Sequence, residues 1–331
     1  MASNTSNDDI FVREEDTLKQ LVAPQAEPRQ FEIVWLNVIV FTYYHLAALY
    51  GLYLSFTCTM WPTIGFACAM YVLNGLGITA GVHRLWCHKT YKARLPLQVF
   101  LMLCHSLANQ HSIVHWVRDH RLHHKYSDTD ADPHNATRGF FYSHIGWLLV
   151  RKHPEVKKRG KLLDLSDIYS NSVVMFQKRN ELWFIIFMAF VLPTAIPIFI
   201  WNESFKSAYH INMLRYICGL NATFLVNSVA HMWGWKPYDK HISSTQSIPV
   251  VIATMGEGFH NYHHVFPHDY RTGELGNNAL NFTTAFIDIC ARLGLAYDRR
   301  TVPEDVVEKR MMRTGDGMDL WANYKKELKC K

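Results

Sequence analysis

The sequence predicts an all-α integral membrane protein, four transmembrane helices with a mainly helical cytosolic cap. Three observations predict it. The chain is 49% hydrophobic and 19% charged, yet its mean hydropathy is near neutral, because apolar and polar residues are segregated into blocks. Four apolar blocks, near residues 33–56, 61–80, 182–201 and 211–229, carry hardly a charge; each is about 20 residues long, enough to cross an ~30 Å hydrocarbon core at ~1.5 Å per residue. Basic residues crowd the segment between the second and third blocks, and three histidine-rich boxes stand at or beyond block ends. Those boxes predict that the cap holds a histidine-ligated dimetal site.

Residues 1–30 are polar, of mixed charge and interrupted by Pro24 and Pro28. With no apolar run of signal-peptide type, they are expected to form a mobile cytosolic N-terminal arm. Residues 31–81 form a first transmembrane hairpin that turns at the uncharged Thr57-Cys58-Thr59-Met60. Asn37, inside the first span, reads as interhelical glue. The second span carries Asn74-Gly75-Leu76-Gly77-Ile78-Thr79-Ala80-Gly81, small residues that admit a neighbouring helix or a lipid chain close to the backbone.

Residues 82–181 form the first part of the cap, with 16 Lys and Arg from Val82 to Glu181, Arg151-Lys152 among them. The positive-inside rule puts this segment in the cytosol. Its apolar stretch 95–108 is too short to span. Residues 182–231 make a second transmembrane hairpin, turning at 202–210, where Glu203 stands against Lys206. Pro193 and Pro197 are tolerated where neighbours satisfy the freed carbonyls, and Arg215 is positioned to snorkel to the interface. Residues 232–331 complete the cap and end in a charged tail, so both termini are cytosolic. Seven scattered cysteines with no CxxC pair argue against a disulfide framework or a thiolate metal site.

The boxes are His83 and His88 in Gly-Val-His-Arg-Leu-Trp-Cys-His, then His120-Arg121-Leu122-His123-His124, then His260-Asn261-Tyr262-His263-His264. On a helix, residues three or four apart share a face, so each HxxHH triplet presents its imidazoles together. The His83–His88 spacing is roughly 140° round an ideal helix, which points to a helix end. Asn227 and His231 are four apart where the last span reaches the cytosol, which makes His231 a ninth candidate ligand. So many imidazoles exceed the four ligands of one tetrahedral zinc; two metals are the natural reading. Asp128, Asp130 and Asp132, after the central box, either orient ligating imidazoles through the second ring nitrogen or form a solvated turn.

Imidazole suits iron, zinc and copper alike. The setting chooses iron: taking hydrogen from an unactivated methylene of a lipid chain requires a redox metal that activates O2, and zinc has no accessible redox state. Hydrolytic two-metal sites normally mix in carboxylates, which these boxes lack.

The sequence resembles the membrane acyl-CoA desaturases of the stearoyl-CoA desaturase family over roughly residues 31–316. The motifs that carry the resemblance are Gly77-Ile78-Thr79-Ala80-Gly81-Val82-His83-Arg84-Leu85-Trp86, Arg118-Asp119-His120-Arg121-Leu122-His123-His124-Lys125, Asp132-Pro133-His134-Asn135, Asn227-Ser228-Val229-Ala230-His231 and Gly256-Glu257-Gly258-Phe259-His260-Asn261-Tyr262-His263-His264. The resemblance implies a di-iron centre, one Fe2+ on His83, His88, His120, His124 and His263. The other would take His123, His231, His260 and His264, with Asn227 through water. It further implies electrons from cytochrome b5 and its NADH-dependent reductase, a fatty acyl-CoA and O2 as substrates, and an endoplasmic reticulum membrane location. No nucleic-acid partner is expected.

By the same resemblance Asn37, Arg118, Asp119, Arg151, Lys152 and Phe224 bind substrate, and cations on the cytosolic face suit coenzyme A phosphates. His111 stands where many relatives have Asn, and Phe224 where many have Trp. Tyr71 and Gly75 correspond to the closed end of the acyl tunnel, which Gly75 is expected to leave roomy. Leu21-Val22-Ala23-Pro24, Ile242-Ser243-Ser244-Thr245-Gln246 and Glu274-Leu275-Gly276-Asn277-Asn278 look like moth pheromone-gland desaturases of the Δ11 type. The alternatives are a Δ9 housekeeping desaturase, a conjugase, acetylenase or hydroxylase on the same site and, from another class, a metal transporter or storage protein.

Overall fold

The computed structural model describes residues 31–273 and 280–318; the N-terminal arm, the charged tail and the Leu21–Pro24 and 274–278 signatures lie outside the described residues. One compact unit begins at Val34 and contains the residues discussed below. Helix α1 (Trp35–Thr57) has no Asp, Glu, Lys or Arg. Its Ala47, Ala48, Gly51 and Leu54 are buried, while Trp35, Leu36, Ile39, Leu49 and Phe56 are exposed. An outward apolar band is what hydrocarbon surroundings favour.

Helix α2 (Trp61–Cys87) runs on without a break from ordinary α turns into wide π turns over Gly77–Cys87, every residue of which is buried. Gly77 is required there, because a Cβ would meet His105 N at 2.2 Å and the Cys104 carbonyl carbon at 2.3 Å on helix α3 (Leu95–Leu107). The wide turns also change the geometry of the first box. His88 N–H bonds to His83 O, five residues back, at 3.0 Å, so the two rings stack edge to face 4.9 Å apart instead of diverging as on an α-helix.

Helix α4 (Ile113–Lys125) carries the central box. Its first N–H groups have no intrahelical acceptor and are met by Glu181 Oε1 at Ser112 N (2.9 Å) and Gln177 Oε1 at Ile113 N (2.9 Å). Gln177 lies on α5 (Ser172–Arg179). Arg121 fastens α4 to the end of α2, with a forked pair of bonds to Asp167 (2.9 and 2.8 Å) and one to Trp86 O (3.1 Å).

Helix α6 (Glu181–Trp201) contains Pro193 and Pro197. Pro193 has no N–H for the carbonyl of Ala189, four residues before it. That carbonyl instead accepts Arg215 Nη2 at 2.8 Å and Asn212 Nδ2 at 3.1 Å, both from α7 (Phe205–Asn227). The expectation that Arg215 snorkels to the interface is therefore overturned: it is 3% exposed and also donates to Leu107 O (2.8 Å) and Asn212 Oδ1 (2.6 Å). Glu203 likewise does not pair with Lys206. It is buried and accepts from Met60 N (2.9 Å) and Thr63 Oγ1 (2.7 Å), at the first turn of α2, where unpaired N–H groups and the helix dipole favour an anion.

Among the described residues three helices, α1, α2 and α6, are long and apolar enough to cross a membrane. The chain is thus a mostly helical membrane protein. The fourth apolar block falls in α7, of the same 23-residue length as α1, which packs against α1, α2 and α6. Being lined by protein, α7 carries Asn212 and Arg215 where a lipid-facing helix could not.

Beyond α7 the chain turns through Val229–Met232. Gln246 then pairs with Trp235 and Phe259 and leads into α8 (His260–Val265). Helix α9 (Phe282–Arg292) follows, then strand β2 (Ala296–Tyr297), which pairs antiparallel with β1 (Lys92–Ala93), and α10 (Glu304–Thr314). Arg84, 1% exposed, ties α2 to this region through Glu257 Oε1 (2.8 Å), Tyr270 O (2.9 Å) and Thr284 Oγ1 (2.9 Å).

Arg215→Leu leaves three buried carbonyl oxygens short of a donor. The expected outcome is a loss of about 2–4 kcal/mol, read as a lower midpoint of thermal unfolding in detergent, with Lys206→Leu as an unaffected control. An unchanged midpoint for Arg215→Leu would mean that these bonds contribute nothing.

Candidate metal centre

Each HxxHH motif divides its imidazoles between two points in space. On α4, His120 and His124 turn to one group and His123 to the other; on α8, His260 and His264 turn to the second group and His263 back to the first. The reason is helical: positions i and i+4 lie about 40° apart on one side, and i+3 lies about 60° to the other. The first group is His83, His88, His120, His124 and His263, and the second His123, His231, His260 and His264; within each, the possible ligand atoms lie within 4.8 Å of one another. Sequence spacing alone grouped each triplet on a single face and missed this division.

The rings meet through the same atom. In the first group the Nε2 to Nε2 separations are 3.0 Å for His83–His263, 3.0 Å for His88–His120, 3.1 Å for His120–His124 and 2.9 Å for His124–His263. In the second they are 2.9 Å for His231–His260, 3.0 Å for His260–His264 and 3.3 Å for His123–His264.

On three rings the opposite nitrogen faces an acceptor that fixes the tautomer. Glu257 Oε2 lies 2.8 Å from His83 Nδ1, Asp132 Oδ2 lies 2.9 Å from His123 Nδ1, and Ser243 Oγ lies 3.0 Å from His231 Nδ1, with Asp128 at 3.6 Å. Asp128 also bonds the Ser243 hydroxyl. With the proton held at Nδ1, each Nε2 points a bare lone pair into its group. A cation at each focus would take these lone pairs together with those of the neighbouring rings. The spacing agrees, since neighbouring nitrogens about 2.0–2.1 Å from a common ion at a right angle stand about 3 Å apart.

Burial and the neighbouring imidazoles hold His88, His120, His124, His260, His263 and His264 well below the usual histidine pKa, so they remain neutral. Burial acts the same way on His231, against Asp128. His123 alone of these goes up, because the Asp132 carboxylate outweighs burial. Burial pushes Glu257 up, but Arg84 and His83 hold it down to about 2; Asp132, beside His123 and His134, is likewise depressed despite burial. The open question about the aspartates thus divides: Asp128 and Asp132 face the imidazoles, while Asp130 is exposed and pairs with Arg138 at 2.6 Å. Glu257 had no assigned role in the sequence; a carboxylate three positions before the last box was its one visible signal.

Two cavities flank the histidines. The first is lined by Tyr71, Asn74, Gly75, Ala222 and Met255 away from the boxes, and reaches His83, His120 and His260. The second is lined by Phe41, His111, His115, Asp119, Trp147 and Phe224. Trp116, His120, Thr223 and Asn227 line both. The Trp116 indole stacks on His120 at 4.7 Å and 28°.

Asn227 therefore stands where the cavities meet, Tyr71 and Gly75 line the first, and Asp119 and Phe224 line the second. Arg118 (2.8 Å) and the Lys152 ammonium both bond Asp119, whose carboxylate they hold below its usual pKa against burial. Asn37 lines neither cavity; its Nδ2 donates to Leu148 O at 2.7 Å, a link from α1 to a lining residue of the second cavity. Arg151 is exposed and lines neither. His111 has φ 63°, a left-handed backbone that Asn adopts more readily. The expected room at Gly75 is filled, because a Cβ there would lie 1.8 Å from Met255 Cε.

The pattern of the Fatty acid desaturase family matches residues 58–278. The chain is 60% identical to the Acyl-CoA Delta(11) desaturase of Spodoptera littoralis, covering 97% of this chain and 95% of the relative. It is 58% identical to the (11Z)-hexadec-11-enoyl-CoA conjugase of Bombyx mori, over 90% and 91% of the two. It is 53% identical to the Acyl-CoA Delta-9 desaturase of Acheta domesticus, over 97% and 91%.

Replacing Asp132 or Glu257 by the neutral amide frees the ring it holds. The expected outcome for Asp132→Asn and Glu257→Gln is a metal affinity about 10–100-fold weaker, measured by elemental analysis after graded chelation, with Asp130→Asn unchanged. Retention of metal equal to the parent protein would contradict the orienting role.

Proposed function

The chain belongs to the fatty acid desaturase family and is an acyl-CoA desaturase, an oxidoreductase acting on a fatty acyl-CoA. From that premise we propose that it inserts a Δ11 double bond into a saturated acyl-CoA at a centre of two irons. One ion would be held by His83, His88, His120, His124 and His263, and the other by His123, His231, His260 and His264, with Asn227 through water. Bound there, the irons would supply the O2 activation that removes two hydrogens from adjacent unactivated methylenes. The balance is one acyl chain, one O2, two electrons and two protons giving one alkene and two waters; electrons arrive from cytochrome b5 and its NADH-dependent reductase.

One observation carries the reading: the two cavities share Trp116, His120, Thr223 and Asn227 beside both histidine groups. An acyl chain that enters through the second cavity and ends in the first must pass there. The apolar walls exclude water and align the chain, and Trp116 buttresses His120. At the entrance the Arg118, Asp119 and Lys152 cluster and the exposed Arg151 suit the coenzyme A phosphates, while Phe224 packs on Trp147 and walls the path. Asn37 acts indirectly, through the Leu148 carbonyl.

Four crossings are supported by α7, long enough to span and enclosed by α1, α2 and α6. The domain plan then follows: hairpins at 31–81 and 182–231, a cap from 82–181 and 232–331, and a cytosolic arm at 1–30, in the endoplasmic reticulum membrane with the cap cytosolic. Met60, Thr63, Trp201 and Glu203 join at one end, whereas every clustered histidine belongs to the cap or a cap-side helix end. That distribution is unlike a transport path, which would string ligands through the spans. The Δ11 position is supported by the Spodoptera littoralis relative, and a second, conjugase activity by the Bombyx mori relative.

Expression in desaturase-deficient yeast, with mass-spectrometric location of the double bond, tests this. The expected products are Δ11 monoenes, abolished by His123→Ala; Δ9 monoenes would overturn the regiochemistry, a hydroxylated main product the reaction type. Conjugated dienes after feeding a Δ11 monoene would reveal the second activity.

A further inference from the structure

We infer that Met255, seated against Gly75, is the stop that sets how many methylenes extend beyond the desaturation point. The inference rests on reading the first cavity as the distal half of the acyl path. Gly75 comes from α2 and Met255 from the loop before α8, and both line that cavity with Tyr71. Met255 Cε occupies the volume a side chain at position 75 would take, 1.8 Å from where its Cβ would stand. The bare glycine therefore does not leave the tunnel deep; the pair Gly75 and Met255 fixes its depth.

The loop is built to hold Met255 in that place. Its backbone is left-handed, φ 58°, a conformation uncommon for a residue other than Gly, Asn or Asp and found where the surroundings over-determine it. The surroundings here are Thr283, whose N–H (3.1 Å) and Oγ1 (2.9 Å) both bond Met255 O, and Thr79, whose hydroxyl meets that of Thr283 at 2.8 Å. On the other side of the same loop, Tyr71 donates its hydroxyl to Ala253 O at 2.7 Å. The walls of the closed end are thus fastened through backbone carbonyls, and the one adaptable element among them is an unbranched thioether side chain, which repacks readily.

Depth past the histidines should govern chain length, not the position of the double bond counted from the carboxyl, because that count is fixed on the entrance side. Trimming Met255 to Ala removes three heavy atoms and opens room for about two methylenes. A methylene in a hydrophobic pocket discriminates by on the order of tenfold. Gly75→Ala acts in the opposite sense, its methyl displacing the Met255 methyl into the path. In the double variant the added methyl has nothing to displace.

The test feeds desaturase-deficient yeast myristic, palmitic, stearic and arachidic acids and measures the length profile of the monoenes for the parent, Met255→Ala, Met255→Leu, Gly75→Ala and the double variant. Binding of the corresponding acyl-CoAs to each purified protein gives a readout independent of turnover. The expected result is a shift of on the order of tenfold or more toward the longer chain for Met255→Ala, a shift to the shorter for Gly75→Ala, and a parental profile for Met255→Leu. The Gly75→Ala effect should vanish in the Met255→Ala background, with the double-bond position constant throughout. Unshifted profiles and unshifted binding in both single variants, or additive effects in the double variant, would overturn the role of Met255 while leaving the acyl path intact. Parent protein that binds no acyl-CoA of any length would instead remove the acyl path, and this inference with it.

Discussion

Nine imidazoles whose Nε2 atoms converge on two points, five of them buried and four partly so, are the constraint on which the rest of the structure depends. Lone pairs about 3 Å apart in a low-dielectric interior repel one another and have given up their water. A cation at each focus would offset that cost. The structure instead invests in keeping the nitrogens bare: Asp132, Glu257 and the Asp128–Ser243 pair hold protons on the far side of three rings, and Arg84 holds Glu257 in turn. The wide turns at the end of α2 serve the same end, since an ordinary α-helix would point His83 and His88 apart.

Much of this was legible in the chain. Apolar blocks separated by polar ones gave α1 and α6 nearly to their ends and α2 to within seven residues of its end, and the three boxes named eight of the clustered histidines, with His231 reached from its spacing to Asn227. What escaped was whatever depends on a partner far off in sequence. Arg215 reads as a snorkelling cation until Pro193, 22 positions earlier, leaves the Ala189 carbonyl without a donor. Glu203 has an obvious local partner in Lys206, yet the unpaired N–H groups at the start of α2 outcompete it. The π turns have no sequence marker beyond small residues, and HxxHH says that three rings share a helix without saying that they divide between two clusters.

The same limit applies to substrate selection. Gly75 by itself suggests a roomy tunnel, and only the fold brings Met255, 180 positions later, into that space. Catalytic geometry and chain selection are thereby separated. On the proposed function, imidazoles on four segments would fix where the chain reacts, and a single flexible side chain against a glycine would fix where it stops.

The central claim, two cations each held mainly by imidazole nitrogen at the foot of the cap, is tested most directly by X-ray absorption at the metal edge of the purified protein, combined with its metal content. The account expects two ions per chain, a first shell of nitrogen or oxygen at about 2.1 Å with the outer-shell scattering of imidazole, and no sulfur. One ion per chain, or a sulfur-containing shell, would contradict it.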